Sequence, residues 1–455
     1  MSHHDRVNFA SKLGAVLAVA GSAVGLGNIW RFPYEAGNHG GAAFILVYLG
    51  CVFIFGLPIM MAEFTIGRRS KASTGEAFHV LAPHTPWRWV GYLGVLTSFL
   101  ILGYYSVVSG WTLEYIVQAM TGGFSNKTSA DFVNMFTDFS QNPFRPLCYL
   151  FVFILLTHLV VVKGVEKGIE RFAKLLMPLL FILVVLLAVC SVLLPGAERG
   201  IEFLLKPDFS KVTPDVFLSA MGQAFFSLSL GMGCLSTYAS YFGKDTRLGR
   251  TAMSVGIIDT CVAVLSGLII FPAAFSVGIQ PDAGPSLIFI TLPNVFQQAF
   301  SGIPFLSFVC STLFYVLLAL AALTSTISLH EVSTVFLHEK FHFTRKKAAY
   351  IVSCGSLLIG IVSSLALGIW SSYTIAGMNI FDALDYLTAK IMLPVGGMLT
   401  AIFVGWVLKK QILRDEITNY GSLEVSFYPV FVFILKFIAP IGIALIFINE
   451  LGLLK

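Results

Sequence analysis

Long apolar runs separated by short, charged connections repeat from one end of the chain to the other. A helix needs about 20 predominantly apolar residues to cross a bilayer. Reading for that length predicts eleven spans, near 11–37, 41–66, 89–119, 148–163, 174–195, 214–241, 252–277, 303–337, 347–369, 376–408 and 427–450. The runs at 303–337 and 376–408 exceed one bilayer width, so those helices are expected to tilt or extend into water. The run from Leu287 to Leu292, before Pro293, is too short to cross. With Asp282-Ala283-Gly284-Pro285-Ser286 ahead of it, it reads as an external re-entrant or capping hairpin.

Composition strengthens this picture. The 455-residue chain is 56% hydrophobic and 12% charged, with a mean hydropathy of +0.84. A soluble protein of this length carries charge on about a quarter of its residues. Half that leaves most of the surface to lipid, which sets aside a large soluble core. The net charge of +5 fits loop topology and not a nucleic-acid partner, because no dense Lys/Arg tract is present.

Orientation follows from the connections. Arg6 and Lys12, then Arg68, Arg69, Lys71 and Arg88, then Lys163, Lys167, Arg171 and Lys174 fall on one side. Lys244, Arg247 and Arg250, the cluster at Lys340 to Lys347, and Lys409, Lys410 and Arg414 continue that side. The opposite loops balance their few cations with Asp131, Asp138, Glu198, Glu202 and Asp208. Positive-inside then places the N-terminus in the cytoplasm, and an odd number of spans places Lys455 outside. The polar start, Met1 to Lys12, leads into an apolar stretch that reaches Arg31-Phe32-Pro33 without a small-residue cleavage site. The first span is therefore expected to be retained. None of the seven cysteines forms a CxxC pair, and the nine histidines show no metal-binding spacing. No organic cofactor, metal cluster or nucleophile–base set is expected, so an enzyme is disfavoured.

Two spans carry an internal fault. Span one contains Gly21-Ser22-Ala23-Val24-Gly25-Leu26-Gly27-Asn28, and span six contains Ser227-Leu228-Ser229-Leu230-Gly231-Met232-Gly233. Glycine costs about 1 kcal/mol against alanine inside a helix. Small residues also serve close helix packing, so either segment alone reads both ways. Together they open the first and sixth spans of a five-plus-five arrangement, the sequence pointer to a midplane binding site. A broken helix presents free carbonyls, which suit Na⁺ or an ammonium group, and free N–H groups, which suit a carboxylate. Asn28, Ser227 and Ser229 add the oxygen chemistry that hard cations require. Asp259 lies at depth in span seven, where a carboxylate by default marks an ion or substrate path. Glu331 lies mid-span in the eighth, close after Thr324-Ser325-Thr326. Arg31 and Asp385 lie at the outer ends of spans one and ten, as an ion pair or a gate.

The stretch from Gly21 to Tyr34, Gly-Ser-Ala-Val-Gly-Leu-Gly-Asn-Ile-Trp-Arg-Phe-Pro-Tyr, resembles the first-helix signature of the neurotransmitter:sodium symporter family. Tyr104-Tyr105 with Trp111, the run Gln223 to Gly233, Ala322 to Ile327, and Asp382 to Asp385 leading to Leu393-Pro-Val-Gly-Gly397 extend the resemblance along essentially the whole chain. Eleven spans and short termini resemble its bacterial amino-acid transporters. Asn126-Lys-Thr128 matches a glycosylation sequon, a three-residue pattern that arises often by chance.

The resemblance implies an all-α, leucine-transporter-like fold in one domain, 1–455. Residues 11–195 would form the first repeat and 214–408 its inverted copy, with 427–450 as a last helix. The first sodium site would comprise Ala23, Asn28, Ser227 and Asp259 with the substrate carboxylate. The second would comprise Gly21, Val24, Ala321, Thr324 and Ser325. Ser22, Ala23, Gly25, Leu26, Gly27, Tyr105, Phe226 and Ser227 would meet the substrate main chain. Ile101, Phe226, Ser229, Met232, Ser325 and Leu329 would face its side chain. Tyr105 and Phe226 would form an inner lid, with Arg31 and Asp385 above as the outer gate and Arg6 with Glu339 as the cytoplasmic one. Glu339 replaces the more familiar Asp, and Phe9 stands where many relatives have Trp, which puts an N-terminal contact in question. Gly168 and Pro178 match a Gly-x9-Pro motif linked in bacterial relatives to helix unwinding.

Monoamine carriers of the family place Asp at the position of Gly25, and several chloride-dependent relatives place Asn at that of Asp259. Gly25 argues for a substrate that brings its own carboxylate, and Asp259 for chloride-independent transport. A pocket without a charge disfavours an acidic or basic side chain. The expectation is a sodium-coupled symporter of hydrophobic or aromatic amino acids, in the bacterial inner membrane, with an undetermined oligomeric state. A proton-coupled carrier of the same fold and a transport-dead amino-acid receptor are the alternatives.

Overall fold

The computed structural model describes residues 8–278 and 287–450. Arg6, the loop Asp282 to Ser286 and Lys455 lie outside the described residues. The first apolar run folds as two helices, α1 (Lys12–Ala23) and α2 (Gly27–Asn38), bent by 56° at the glycine pair. Then follow α3 (Ala42–Ser70), α4 (Thr74–Leu81) and the 33-residue α5 (Arg88–Met120). Next come α6 (Ser129–Ser140), α7 (Arg145–Val161), α8 (Val165–Val192) and the short α9 (Glu198–Leu205). The sixth run is broken into α10 (Pro214–Ser227) and α11 (Cys234–Ala239). It is followed by α12 (Leu248–Ser276), α13 (Leu292–Ala299), α14 (Pro304–Lys340) and α15 (Arg345–Leu365). After the two-residue strands β1 (Thr374–Ile375) and β2 (Met378–Asn379) come α16 (Ile380–Val407), α17 (Lys410–Ile417) and α18 (Tyr428–Asn449).

Among the described residues, eight helices have the length and apolarity to cross a membrane, and two bent pairs raise that to ten. The interrupted α10–α11 pair occupies the place of the remaining run, 214–241. The 376–408 run differs most from expectation, because its first residues form the β1–β2 hairpin and the helix starts at Ile380. Asn379 caps it by accepting from the Asp382 N–H at 2.9 Å. The 37-residue α14 is about 55 Å long at 1.5 Å per residue, well beyond the bilayer core.

The packing places the two breaks together. The longest helices, α5 and α14, run along each other, while α1 is wedged among α8, α12 and α14. Across from it, α10 and α11 lie on α3. Lipid-facing positions such as Leu175, Ile182, Phe305 and Phe433 are exposed. The short run at Leu287 forms a buried wide turn, Leu287–Thr291, leading into α13. Phe289 sits 4.8 Å from Tyr115 and 5.6 Å from Trp111, so this run packs on the C-terminal part of α5. The Thr128 hydroxyl of the sequon is occupied in a capping box with Asp131 at the start of α6.

Candidate functional site

The first break begins where Val24 turns extended (φ −70°, ψ 107°), ending the i to i−4 ladder of α1. Its freed N–H groups find partners close by. Gly25 donates to Asn28 Oδ1 at 3.0 Å, and Leu26 donates to the Tyr105 hydroxyl at 3.1 Å. Both glycines are closely packed against side chains. A Cβ on Gly25 would stand 2.6 Å from Ser325 Oγ and 3.3 Å from the Tyr105 hydroxyl, and one on Gly27 would stand 2.7 Å from the Phe226 ring.

The second break uses left-handed backbone at Ser229, Gly231 and Gly233, with φ of 55°, 82° and 78°. Its loose ends are also tied down. Ser229 Oγ donates to the Ser22 carbonyl at 2.9 Å, which joins the two breaks directly. The Gly231 N–H donates to Glu63 Oε1 on α3 at 2.7 Å, and Thr74 Oγ1 donates to the Gly233 carbonyl at 2.7 Å.

Between the breaks lies a buried cluster of oxygens. Asn28 Nδ2 donates to Ser227 Oγ at 3.0 Å and to Asp259 Oδ1 at 2.7 Å. The Ser227 and Tyr48 hydroxyls donate to Asp259 Oδ2 at 2.8 and 3.2 Å. A carboxylate with three donors on it meets the requirement for a charge buried at this depth. Ala23 lies at its edge on the cavity wall. A second group sits between α1 and α14. Thr324 Oγ1 is 3.5 Å and Ser325 Oγ 3.4 Å from the Val24 carbonyl, and both also approach the Ala321 carbonyl, at 2.9 and 3.2 Å. Gly21 packs so close that a Cβ there would meet Thr324 Cβ at 3.3 Å. Four oxygens thus converge, the Val24 and Ala321 carbonyls and the Thr324 and Ser325 hydroxyls, of the ligand type hard cations take.

A cavity of about 340 Å³ runs from both breaks to Arg31 and Asp385. Every residue expected to meet a substrate lines it except Leu26, which is fully buried and contributes its N–H to Tyr105. Ile101, Met232, Leu329 and Phe226 make its walls apolar. Arg31, Asp385 and Lys390 ring its mouth. Arg31 stands 4.6 Å over the Phe226 ring and 3.8 Å from Glu35, while Asp385 accepts from the Tyr104 hydroxyl at 3.1 Å. The structure therefore brings Arg31 and Asp385 to one mouth without joining them in an ion pair.

The opposite side is packed shut. Phe9 sits in a nest of Tyr238, Tyr241 and Phe242, with ring centroids 5.9 to 6.3 Å away, so the substitution questioned from sequence retains an aromatic contact. Tyr241 donates to Glu331 at 2.7 Å, and Arg345 pairs with the same carboxylate. Glu339 accepts from the Ser73 N–H at 2.6 Å; its expected partner Arg6 is outside the described residues. The Gly168 to Pro178 stretch is helical throughout, and Pro178 lies inside α8.

Sequence reading assigned no role to Tyr48, Glu63 or Gln223. Glu63 had a usable signal, since it is the one carboxylate in the apolar run 41–66. Tyr48 had none, because its hydroxyl meets Asp259 only through the fold. Gln223 Nε2 donates to the Gly27 carbonyl at 3.3 Å, bridging the breaks from α10.

The sodium:neurotransmitter symporter family matches residues 6–137 and 131–454. An uncharacterized sodium-dependent transporter of Bacillus subtilis (strain 168), YhdH, is 39% identical over 456 residues, covering 100% of both chains. Sodium-dependent nutrient amino acid transporter 1 of Drosophila grimshawi is 25% identical over 484 residues, covering 93% of this chain and 73% of its own. The crystal structure of MhsT in complex with L-phenylalanine shares the fold with a TM-score of 0.88 and 44% identity, covering 98% of this chain and 100% of that one. Mostly helical, apolar over bilayer lengths and matched along its whole length by sodium-dependent transporters, this chain belongs to the sodium:neurotransmitter symporter family.

Proposed function

We propose that this sodium-dependent transporter imports hydrophobic or aromatic amino acids together with Na⁺, by alternating access and without chloride. The observation that carries the reading is the floor of the cavity at Gly25, a residue that offers no side-chain carboxylate and whose Cβ position faces Ser325 Oγ and the Tyr105 hydroxyl. An amine-only substrate would find no partner there. A substrate with its own carboxylate can approach the N–H groups that the first break takes out of the helix ladder and complete the oxygen shell of Ala23, Asn28, Ser227 and Asp259. The apolar walls exclude a charged side chain, since burying one unpaired is costly. The related MhsT, crystallised with L-phenylalanine, supports an aromatic ligand.

The second cation would sit among Gly21, Val24, Ala321, Thr324 and Ser325, holding α1 against α14. Asp259 supplies a fixed negative charge beside the first cation, the reason no chloride is needed. Closure of Tyr105 and Phe226 over the substrate, with Arg31 brought to Asp385 above, would seal the outer side. Loosening of the Phe9 nest and of the Glu339 and Glu331 contacts would then open the inner one. Coupling requires that ion and substrate favour the same conformer. In this reading 11–195 and 214–408 are inverted repeats, and the protein lies in a bacterial inner membrane with its N-terminus inside.

The test is uptake by purified protein in liposomes. Labelled Trp, Tyr, Leu and Ala are offered under inward Na⁺, Li⁺ or H⁺ gradients, with and without chloride. Uptake of Trp, Tyr or Leu that follows the Na⁺ gradient and ignores chloride is the expected result. Accumulation driven by a proton gradient in the absence of Na⁺ would overturn it.

A further inference from the structure

Away from the central cavity, an open concavity of about 910 Å³ is lined by Lys163, Lys167, Arg171, Phe172 and Leu175. Gly164, at φ +86°, turns the chain sharply between α7 and α8, a conformation open mainly to glycine. That turn brings Lys163 back over the Phe172 ring, with Nζ 5.6 Å from its centroid. Lys167, Arg171 and Leu175 follow at four-residue steps and so share one face of α8. The face continues through Leu179 and Ile182, which are 40% and 62% exposed. Among the described residues, neither Lys167 nor Arg171 is paired with a carboxylate. The nearby Glu170 is turned the other way, accepting from Ser11 Oγ, the Ala10 N–H and Lys174 at 2.7 to 2.8 Å. Glu166 does not line the concavity.

We infer that this concavity binds the headgroup of an anionic phospholipid. Three cations lining one concavity meet a phosphate, and the exposed apolar stripe that continues their face meets acyl chains. A soluble anion would use the first feature only. Basic pockets at the membrane interface beside transmembrane helices are suited to anionic headgroups, each cation contributing a share of the attraction. The cations span the joint: Lys163 precedes Gly164, while Lys167 and Arg171 belong to α8. A phosphate held by all three therefore ties the α7–α8 turn to the first turns of α8. The inference does not depend on which substrate is carried.

The full-length protein in mild detergent is titrated with phosphatidylglycerol, phosphatidylcholine or inorganic phosphate and bound copies are counted by native mass spectrometry. Wild type is expected to prefer phosphatidylglycerol over phosphatidylcholine, and the Lys163→Gln/Lys167→Gln/Arg171→Gln variant to lose on the order of tenfold of that preference. Neutralising Lys409, Lys410 and Arg414 instead should leave it intact. In nanodiscs, hydrogen exchange at 164–171 should be slower with phosphatidylglycerol than with phosphatidylcholine alone, and only when the three cations are present. Equal phosphatidylglycerol retention by wild type and the triple variant overturns the site. Inorganic phosphate binding as tightly as the lipid overturns its assignment to a lipid.

Discussion

Asn28 donates its side-chain amide to the Asp259 carboxylate at 2.7 Å, joining the break in the first span to the middle of α12. The same carboxylate accepts from Ser227 and Tyr48. Removing its charge while keeping its shape isolates the electrostatic role. Asp259→Asn is expected to lower chloride-free uptake at least about tenfold, in line with losing more than ~1.4 kcal/mol of ion stabilisation. Added chloride should restore part of it. Uptake measured in gluconate and chloride buffers checks this, and an unchanged, chloride-indifferent variant removes the role.

Gly25 offers a separate lever on the proposed second cation site. A methyl at this position would push against Ser325 Oγ, 2.6 Å from the built Cβ. Ser325 is one of the two hydroxyls facing Val24, so its displacement distorts that group before it touches the substrate. Gly25→Ala should raise the Na⁺ concentration for half-maximal uptake several-fold. Ser325→Ala should do the same without the steric change. A Gly25→Ala protein with normal sodium dependence would show that the hydroxyl plays no part in cation binding.

How far these sites could be read from sequence depends on whether local pattern or tertiary approach creates them. The breaks were legible because two glycines close together in an apolar run leave backbone groups that lipid cannot satisfy. Asp259 was legible because a carboxylate at depth is costly. Tyr48 and Gln223 were not, since an aromatic residue and an amide carry no such cost until their partners are known. The same limit applies to the helix ends. Hydropathy carried span ten back to 376, but Ala376 and Gly377 have positive φ and form the β1–β2 turn instead. Nine of the eleven expected spans fall mainly on one unbroken helix here, including 148–163 on α7; the other two differ by a bend at glycine and the unwound stretch after Ser227.

Glu63 is expected to hold the second break in its open form. Its Oε1 is the acceptor for the Gly231 N–H, in a segment that is otherwise buried. Glu63→Ala leaves that N–H without a partner, at a cost of about 1–3 kcal/mol. Glu63→Gln keeps an acceptor in place. The alanine variant should therefore melt several degrees lower and transport poorly, and the glutamine variant should lie close to wild type in stability. Thermal melts of purified protein compare them, and equal melting of all three removes the proposed support.

The proposed inner seal rests on an aromatic contact that can be weakened without altering any charge. Phe9 meets three rings within 6.3 Å, and its N–H donates to the Tyr241 carbonyl at 3.0 Å. Aromatic pairs contribute about 0.5–1.5 kcal/mol each beyond their burial. Losing the ring would therefore shift the balance toward an inner-open form by about 2 kcal/mol, roughly thirtyfold. Phe9→Ala should speed hydrogen exchange at 8–14 and at 165–171, where Glu170 receives Ala10 and Ser11. Phe9→Trp should keep the protection, since the nest is aromatic on every side. The Tyr241–Glu331–Arg345 contact lies next to the nest but does not use the ring. Exchange near 331 that rises as much as exchange near 10 would indicate general unfolding, and unchanged exchange at both would show that Phe9 does not seal the inner side.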